Sequence, residues 1–293
     1  MDRGGGASRV ALVTFGRVSQ ASLMETPAGP SVPSPSTNYL THLFGLSGST
    51  ALVSGSSRGL GRVFVQALGQ AGCRVAVNGR SPESVDAVVA ELGDLGITAI
   101  PAPFDITDHT AVASAVAGVQ DRFGQSLDIL VNNAGINRRH QLQNFPLSDW
   151  QAVLDANLTS AFVLSQAVVP GMIARGTGVI VNIASLLSAH ARRTIAAYAA
   201  AKAGLSMLTK SMATEWGEYG IRANAIAPGY ILTDITRPLH DDPDRNPGIM
   251  ARLPVGRWGE PADLVGPVLF LSSEAADYIH GTILPVDGGW LAR

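Results

Sequence analysis

Tyr198 and Lys202 are the pair of residues in this sequence whose types and spacing most directly suggest chemistry. Residues four positions apart lie on one side of a helix, and the local pattern predicts a helix over 196–219. A tyrosine with an ordinary pKa of ~10 exchanges a proton near neutral pH only if its phenolate is stabilised, as a nearby ammonium can do. The pair is therefore a candidate for acid–base chemistry, with an ordinary buried tyrosine and surface lysine as the alternative.

Lysine is scarce in this chain, which gives the pair more weight. Among 293 residues, lysine occurs only at Lys202 and Lys210, beside many arginines. Ser185 lies thirteen positions before the tyrosine, at the end of a predicted strand, and Asn157 lies on the preceding predicted helix. A hydroxyl there could hold and polarise a substrate oxygen. The amide could anchor a water that links the lysine to solvent.

Short apolar runs alternate with helical stretches through most of the chain. The predicted strands are 51–53, 74–77, 98–101, 127–131, 178–184, 222–226 and 282–285, and the predicted helices are 62–71, 81–92, 108–123, 150–172, 196–219 and 261–272. This alternation predicts one α/β domain over 46–293, a Rossmann-type doubly wound parallel sheet with helices on both faces. Residues 1–45 are rich in Gly, Ser, Pro and Ala, and we expect them to form a flexible N-terminal extension.

A glycine-rich turn follows the first predicted strand and opens the first helix of the domain. Residues 54–61 read Ser-Gly-Ser-Ser-Arg-Gly-Leu-Gly. Glycines let the backbone turn sharply and let a phosphate approach the helix N-terminus, where free N–H groups and the helix dipole favour an anion. The context predicts a dinucleotide site, with an ordinary glycine-rich turn as the alternative.

The end of the second predicted strand bears on which dinucleotide binds. An NAD enzyme would place a carboxylate there for the ribose 2′-OH, but this chain has Gly79, followed by Arg80, and Arg58 lies in the glycine-rich turn. Two guanidiniums without a carboxylate suit a 2′-phosphate. NADP(H) is therefore favoured and NAD(H) is possible, since both arginines could instead be solvated.

Taken together, these motifs resemble the short-chain dehydrogenase/reductase family over roughly 46–293. The resemblance rests on the Gly-x-x-x-Gly-x-Gly spacing, the tetrapeptide Asn132–Gly135 and the tyrosine–lysine pair with its serine and asparagine; Ser54 stands where the family usually has Thr. It implies hydride transfer between a nicotinamide and a carbonyl/alcohol pair, with Asn157, Ser185, Tyr198 and Lys202 as the catalytic residues. It also implies that the cofactor is bound by Gly55, Ser57, Arg58, Gly59, Leu60, Gly61, Asn78, Arg80, Asp105, Ile106, Asn133, Ala134, Gly135, Tyr198, Lys202, Pro228, Gly229, Ile231 and Thr233.

The residues after this tetrapeptide bear on the substrate. The sequence Asn137-Arg138-Arg139-His140 resembles the gluconate 5-dehydrogenase (5-keto-D-gluconate reductase) subgroup of the family, as do 144–146, 227–230, 257–259 and 286–289. An arginine at the carboxyl edge of the sheet can pair bidentately with a sugar-acid carboxylate. We therefore expect Arg138 and Arg139 to bind the substrate together with Ser185 and Tyr198, although both arginines could instead face solvent or another subunit.

The resulting prediction is an NADP-dependent enzyme that interconverts a sugar acid and its keto form. A 3-oxoacyl-thioester reductase and another polyol or steroid dehydrogenase share the same catalytic residues and remain alternatives. An alternative of another class is a non-catalytic, cofactor-sensing protein, because a fold does not fix a function.

Composition narrows the partners. The net charge of −2 gives no reason to expect nucleic acid as a partner. The sequence contains no run of 18 or more apolar residues, so we expect no membrane span. The single cysteine, Cys73, cannot form an internal disulfide, and we expect a buried, inert thiol and a cytoplasmic protein.

The acidic run 241–244 is expected to be a solvated loop rather than a metal site. It lies within a stretch, 230–256, that resembles the mobile substrate lid of the family. The family resemblance also implies a homotetramer that pairs the helices predicted at 150–172 and 196–219 and the C-terminal strand region.

Overall fold

The computed structural model describes residues 39–234 and 236–293. Leu40–Arg293 forms one compact unit. Of the predicted N-terminal extension, residues 1–38 lie outside the described residues, and Tyr39–Phe44 forms a short helix, α1, with no buried residue. The flexible character of 1–45 therefore stays a prediction.

Seven parallel strands form one sheet, in the order β3-β2-β1-β4-β5-β6-β7. The strands are β1 (Thr50–Val53), β2 (Arg74–Gly79), β3 (Ala99–Pro103), β4 (Ile129–Asn132), β5 (Gly178–Ile183), β6 (Ile221–Pro228) and β7 (Ile283–Val286). The strand order reverses direction between β1 and β4, so this position is the topological switch point at which doubly wound sheets bind ligands. The fold predicted from the alternation of strands and helices is confirmed.

Helices connect the strands and cover both faces of the sheet. They are α2 (Gly59–Gln70), α3 (Pro82–Asp94), α4 (Val112–Phe123), α5 (Leu147–Leu154), α6 (Ser160–Arg175), α7 (Ala196–Trp216), α8 (Arg237–His240), α9 (Asn246–Met250) and α10 (Val265–Ser272). A π-helical turn over Asp155–Thr159 joins α5 to α6. The sequence predicted one helix over 150–172 and no regular structure in the lid, where α8 and α9 lie.

The core consists of two apolar layers, one on each face of the sheet. Along β1, Ala51 and Val53 pack in one layer and Leu52 in the other, because successive side chains of a strand point to opposite faces. The first layer contains residues of α2, α3 and α10, and the second contains residues of α4, α6 and α7. Both faces of the central strands are therefore covered by apolar side chains.

The helical run Leu147–Arg175 is long and apolar enough to cross a membrane by length and composition alone, but half of its most apolar stretch is buried inside the protein. Leu164, Val168 and Met172 on α6 are fully buried in the second layer. This placement is that of a core helix packed on the sheet.

Candidate active site

Helix α7 places Tyr198 and Lys202 at the carboxyl edge of the sheet. The Lys202 side chain is only 3% exposed, and its Nζ donates a 2.7 Å hydrogen bond to the carbonyl oxygen of Ile183 at the end of β5. The same Nζ lies 5.7 Å from the centre of the Tyr198 ring. The ammonium is thus fixed beside the tyrosine by the neighbouring strand, as the four-residue spacing predicted.

Burial shifts the pKa of each group in the direction that favours its uncharged form. Desolvation lowers the pKa of Lys202 from 10.5 to about 8. Desolvation also raises the pKa of Tyr198, and a hydrogen bond with Ser185 opposes this rise. The tyrosine therefore keeps its proton near neutral pH, which suits a group that donates a proton to a carbonyl oxygen.

Ser185 follows the end of β5 and is brought to the tyrosine. Its Oγ accepts a 3.1 Å hydrogen bond from the backbone N–H of Leu187, which fixes the side chain at the start of a short 3-10 turn. Register places the ends of β5 and β6 side by side, with Ile183 opposite Ile226. The hydroxyl thus lies at the same edge as the turn that follows β6.

Asn157 lies in the π-helical turn, and its position depends on that irregularity. The side-chain Nδ2 donates 2.8 Å hydrogen bonds to the carbonyl oxygens of Ile136 and Val153. Its Oδ1 is buried and has no hydrogen-bond partner among the described residues. A Cβ at Gly135 would clash with this Oδ1 and lie 3.7 Å from Nζ of Lys202, so the amide and the ammonium border the same small space. π-turns of this kind often occur at functional sites.

The glycine-rich turn lies at the switch point and packs closely against the turn after β4 at Gly55 and Gly61. Gly55 and Gly59 have φ values of +63° and +55°, which favour glycine. A Cβ at Gly61 would clash with the carbonyl oxygen of Gly55 and lie 2.6 Å from Nδ2 of Asn133. Asn133 in turn donates to the carbonyl oxygens of Ser54 and Gly55, at 2.9 and 3.1 Å. The turn after β4 therefore fixes the glycine-rich turn from one side.

Ser54 joins the same two turns, which explains why a serine is sufficient where the family usually has threonine. Its Oγ accepts 3.0 Å hydrogen bonds from the backbone N–H groups of Asn133 and Ala134. The contact needs only the hydroxyl.

The N-terminus of α2 fits an anion such as a pyrophosphate. Its N-cap residue, Arg58, makes no side-chain capping hydrogen bond, and its first turn carries no acidic residue. A Cβ at Gly59 would have no atom within 4 Å among the described residues, so space is open above the turn. Free N–H groups and the helix dipole favour a negative group there.

Asn78, which is predicted to bind the cofactor, is 1% exposed, and its side chain makes hydrogen bonds to backbone groups of the neighbouring segments. Its Oδ1 accepts a 3.0 Å hydrogen bond from Gly55 N, and its Nδ2 donates to the carbonyl oxygens of Ala102 and Phe104. The side chain thus holds the glycine-rich turn against the ends of β2 and β3.

The end of β2 is close to the glycine-rich turn at Gly79, where a Cβ would lie 2.7 Å from Oγ of Ser57, so a side chain there would require Ser57 to shift. Arg58 and Arg80 are both exposed. No acidic residue is present at Gly79, Arg80 or Ser81 to accept the ribose 2′-OH, in agreement with the sequence. This arrangement suits a 2′-phosphate better than a free hydroxyl.

The remaining predicted cofactor residues lie at the ends of β3, β4 and β6. Asp105 accepts hydrogen bonds from the N–H and hydroxyl of Thr107 at 2.9 and 2.7 Å. Gly229 is packed so that a Cβ would lie 2.6 Å from the Cα of Asp287, and the N–H of Thr233 donates to Oγ1 of Thr236 at 2.9 Å. Three of the remaining predicted cofactor residues are buried, namely Ile106, Pro228 and Ile231. Leu60 and Ala134 are half-buried, and Gly135 is exposed.

The two predicted substrate arginines differ. Nε of Arg138 lies 4.0 Å from Oδ1 of Asp149, whose Oδ2 is 2.6 Å from Nε2 of His140. Arg139 has no carboxylate within 4.0 Å among the described residues, and desolvation followed by the charge of Arg245 lowers its pKa. Arg139 is therefore the one that retains an unpaired charge.

Sequence reasoning missed Arg192 and Arg245, whose charges the structure brings near Arg139. The available signal was a second arginine pair, Arg192-Arg193, six and five positions before Tyr198. Within residues 39–234 and 236–293, no group of three or more His, Cys, Asp or Glu side chains could hold a metal ion. In the acidic run, Asp242 Oδ1 accepts from the N–H groups of Asp244 and Arg245, so its role is local capping.

Comparison with known proteins identifies the class to which this fold and site belong. A family model described as enoyl-(acyl carrier protein) reductase matches residues 55–291. The gluconate 5-dehydrogenase of Gluconobacter oxydans is 44% identical over 84% of this chain and 96% of its own length. The chain belongs to the short-chain dehydrogenase/reductase family.

Two further relatives are similar over comparable lengths. The 2-dehydro-3-deoxy-D-gluconate 5-dehydrogenase of Formosa agariphila is 42% identical over 85% of this chain and 95% of its own. A crystal structure of a gluconate 5-dehydrogenase from Burkholderia cenocepacia, in complex with NADP and tartrate, is 43% identical with a TM-score of 0.84, over 86% of this chain and 99% of that one. The predicted family, fold and subgroup resemblance are confirmed.

Proposed function

We propose that this protein is an NADP-dependent oxidoreductase that interconverts a sugar acid and its keto form, of the gluconate/5-ketogluconate type. The observation that carries the proposal is the convergence of half-buried Tyr198, buried Lys202, Ser185 and the loop of the unpaired Arg139 at one edge of the sheet. The names of the curated relatives support the substrate class.

In this proposal, the chain's own residues place the substrate and move one proton. NADP(H), when bound, supplies or accepts the hydride. Ser185 Oγ holds the substrate oxygen, and Tyr198 donates its phenolic proton to that oxygen during reduction. In the reverse direction Tyr198 takes the proton back, and the adjacent ammonium of Lys202 stabilises the phenolate. The free Oδ1 of Asn157 accepts from a water that connects Lys202 with solvent.

The cofactor would be held by the two turns at the switch point and the turn after β6. Gly55, Ser57, Gly59, Leu60 and Gly61 would bind the pyrophosphate at the start of α2, with Arg58 and Arg80 on the 2′-phosphate. The other contacts in the proposal are Asp105 and Ile106 at the adenine, Asn133, Ala134 and Gly135 beside the ribose, and Pro228, Gly229, Ile231 and Thr233 along the nicotinamide. Preference is measured as kcat/KM with NADPH and with NADH; equal values would contradict the assignment of the arginines.

The decisive experiment compares two carbonyl substrates. NADPH consumption by the purified protein is followed with 5-keto-D-gluconate and with an acetoacetyl thioester. We expect turnover of the keto acid alone. Turnover of the thioester alone would assign the chain to the acyl reductases that the matching family description names, and silence with both, together with tight NADPH binding, would favour a cofactor-sensing role.

We further propose that the enzyme is a cytoplasmic homotetramer. Two long helices present large apolar side chains to solvent within the single chain: Phe162 on α6 is 41% exposed and Met207 on α7 is 62% exposed. Pairing of α6 and α7 between subunits would cover both. The inert thiol expected of a cytoplasmic enzyme agrees with Cys73, since burial raises its pKa to about 12.

A further inference from the structure

Four arginines from three separate segments of the chain form a cluster beside the catalytic edge: Arg139, Arg192, Arg245 and Arg252. The charges of Arg245, Arg139 and Arg252 all lower the pKa of Arg192, after the larger effect of desolvation. Arg193, next along the chain, is not among these contributors. All four side chains are exposed, and an exposed concentration of positive charge beside the catalytic edge favours the binding of an anion.

Aromatic rings hold two of these arginines in position. The guanidinium carbon of Arg192 lies 5.5 Å from the centre of the Tyr230 ring, and that of Arg252 lies 4.1 Å from the centre of the Trp290 ring. The two rings contact each other, with centres 4.8 Å apart. Stacking on a ring fixes the plane of a guanidinium while leaving its N–H groups free for another partner.

Backbone contacts tie the arginine-bearing loops to the catalytic residues. The N–H of His140, next to Arg139, donates a 3.0 Å hydrogen bond to the carbonyl oxygen of Thr194, two residues after Arg192. Thr194 has a φ of +71°, which is uncommon for a residue other than glycine and occurs often at functional sites. Helix α7 starts two residues later and carries Tyr198.

Three of the four arginines in the cluster have no acidic partner among the described residues. Arg245 lies 3.9 Å from Asp242, but among the described residues Arg139, Arg192 and Arg252 have no carboxylate within 4.0 Å. Arg245 and Arg252 flank α9, whose Ile249 packs against Tyr230 and Trp290 in a small apolar core that also contains Leu186, the neighbour of Ser185. This apolar core holds the lid, residues 230–256, close to Ser185 and therefore close to the proposed position of the substrate oxygen.

We propose that Arg192 and Arg245, together with Arg139, form the anion clamp that selects substrates carrying a carboxylate. This inference rests on the proposed function and deepens it. Arg138 is outside the clamp, because its charge is not among those that act on Arg139 or Arg192. Arg139 and Arg192 come from the fixed loops and Arg245 from the lid, so the carboxylate joins the lid to the body of the enzyme.

The test separates recognition of charge from catalysis. Wild type, Arg192→Gln and Arg245→Gln are compared in kcat/KM for 5-keto-D-gluconate and for its neutral amide, and D-gluconate is titrated into the NADPH-loaded enzymes by calorimetry. Arg193→Gln is the matched control, since it removes an adjacent exposed charge outside the cluster. Loss of one charge-assisted contact should lower kcat/KM for the acid and weaken gluconate binding by about 10- to 100-fold. The amide should change less than threefold, and Arg193→Gln should behave as wild type.

Equal losses for acid and amide, or gluconate binding unaffected by Arg192→Gln and Arg245→Gln, would overturn the clamp. So would the absence of gluconate binding to the wild-type enzyme. If wild type does not reduce the keto acid but gluconate binding depends on Arg192, the clamp stands and the proposed reaction fails, so the two failures are distinct.

Discussion

At the scale of single residues, the buried ammonium of Lys202 combines a cost to the fold with a benefit to the chemistry. Its only hydrogen bond among the described residues goes to one carbonyl oxygen, that of Ile183. The fall of its pKa from 10.5 to about 8 corresponds to about 3 kcal/mol of unfavourable burial at neutral pH. In the proposed mechanism, this positive charge stabilises the phenolate of Tyr198.

Lys202→Met should therefore stabilise the protein without cofactor while removing its activity. Because the folded-state pKa lies below the unfolded-state value, the cost is fully present below pH 8 and disappears as pH rises toward 10.5. We expect the variant's free energy of unfolding to exceed that of wild type by about 1–3 kcal/mol at pH 7, and by less than about 1 kcal/mol at pH 10. Urea unfolding at the two pH values measures the difference.

The chain's other lysine provides the control. Lys210 is exposed on the same helix, so Lys210→Met should change the free energy of unfolding by no more than about 0.5 kcal/mol at either pH. A destabilised Lys202→Met variant, or a gap that does not shrink with pH, would show that the ammonium is not carried at a net cost.

Tyr198→Phe isolates the proton-transfer step at the other member of the pair. The ring and its packing are kept, and only the hydroxyl that bonds Ser185 is lost. We expect kcat with NADPH and the keto acid to fall by about 10²- to 10⁴-fold or more. The Kd for NADPH, measured by fluorescence, should stay within twofold of wild type. Retention of turnover would place the proton donor elsewhere.

At the scale of elements, the glycine-rich turn depends on the close approach of three segments. Gly61→Ala introduces a Cβ against the carbonyl oxygen of Gly55 and 2.6 Å from Nδ2 of Asn133, and neither atom is the free end of a flexible chain. We expect a loss of about 1–3 kcal/mol in urea unfolding, and weaker NADPH binding because the turn must shift.

Gly118→Ala is the matched substitution for this prediction. Gly118 lies inside α4, and a Cβ there would have no described atom within 4 Å. The change should stabilise the protein by about 0.5–1 kcal/mol through helix propensity and leave NADPH binding unaltered. If both glycine variants behaved alike, the close packing at Gly61 would not control the turn.

The sequence predicted the elements well where one physical pattern dominated. The buried strands and the turns that follow them are recognisable because apolar runs end at glycine, asparagine or serine. The π-turn at Asp155–Thr159 was not predicted, because such turns are rare and a single irregular turn is too short to be recognised from apolar periodicity. The lid helices α8 and α9 are short and exposed, so tertiary contacts such as that of Ile249 define them rather than local pattern.

In the candidate site, too, features set by a local sequence pattern were predictable and features set by tertiary contacts were not. The four-residue spacing of Tyr198 and Lys202 predicted that they lie side by side on one helix, whereas Ser185 and Asn157 were predicted from the family resemblance; the catalytic roles of all four stay predictions. The hydrogen bonds of the Asn78 side chain to backbone groups of three segments depend on three-dimensional packing, so the sequence could not predict them. The charges of Arg192, Arg245 and Arg252 come together from distant parts of the chain, so no single-window pattern could predict their cluster.

At the scale of the whole molecule, the strand order brings every predicted functional segment to one edge of the sheet. The turns after β1 and β4 lie on either side of the switch point, and the turns after β5 and β6 lie next in order. The solvent-exposed surfaces of α6 and α7, away from the sheet, remain available for contacts between copies of the chain. Phe162 and Met207 lie exposed on these surfaces, at 41% and 62%.

Met207→Lys tests whether that surface pairs copies of the chain. Four chains of 30.4 kDa give about 122 kDa, and if α7 packs against a second α7, each interface would bury two unpaired ammonium groups, which is strongly unfavourable. We expect light scattering after gel filtration to show about 122 kDa for wild type and about 61 kDa for the variant, because the C-terminal strand contacts would remain. Leu95→Lys, at an equally exposed apolar position on the far side beyond α3, should keep the wild-type mass. A Met207→Lys protein of unchanged mass would mean that α7 faces solvent, and the assembly would then have to be built on another surface.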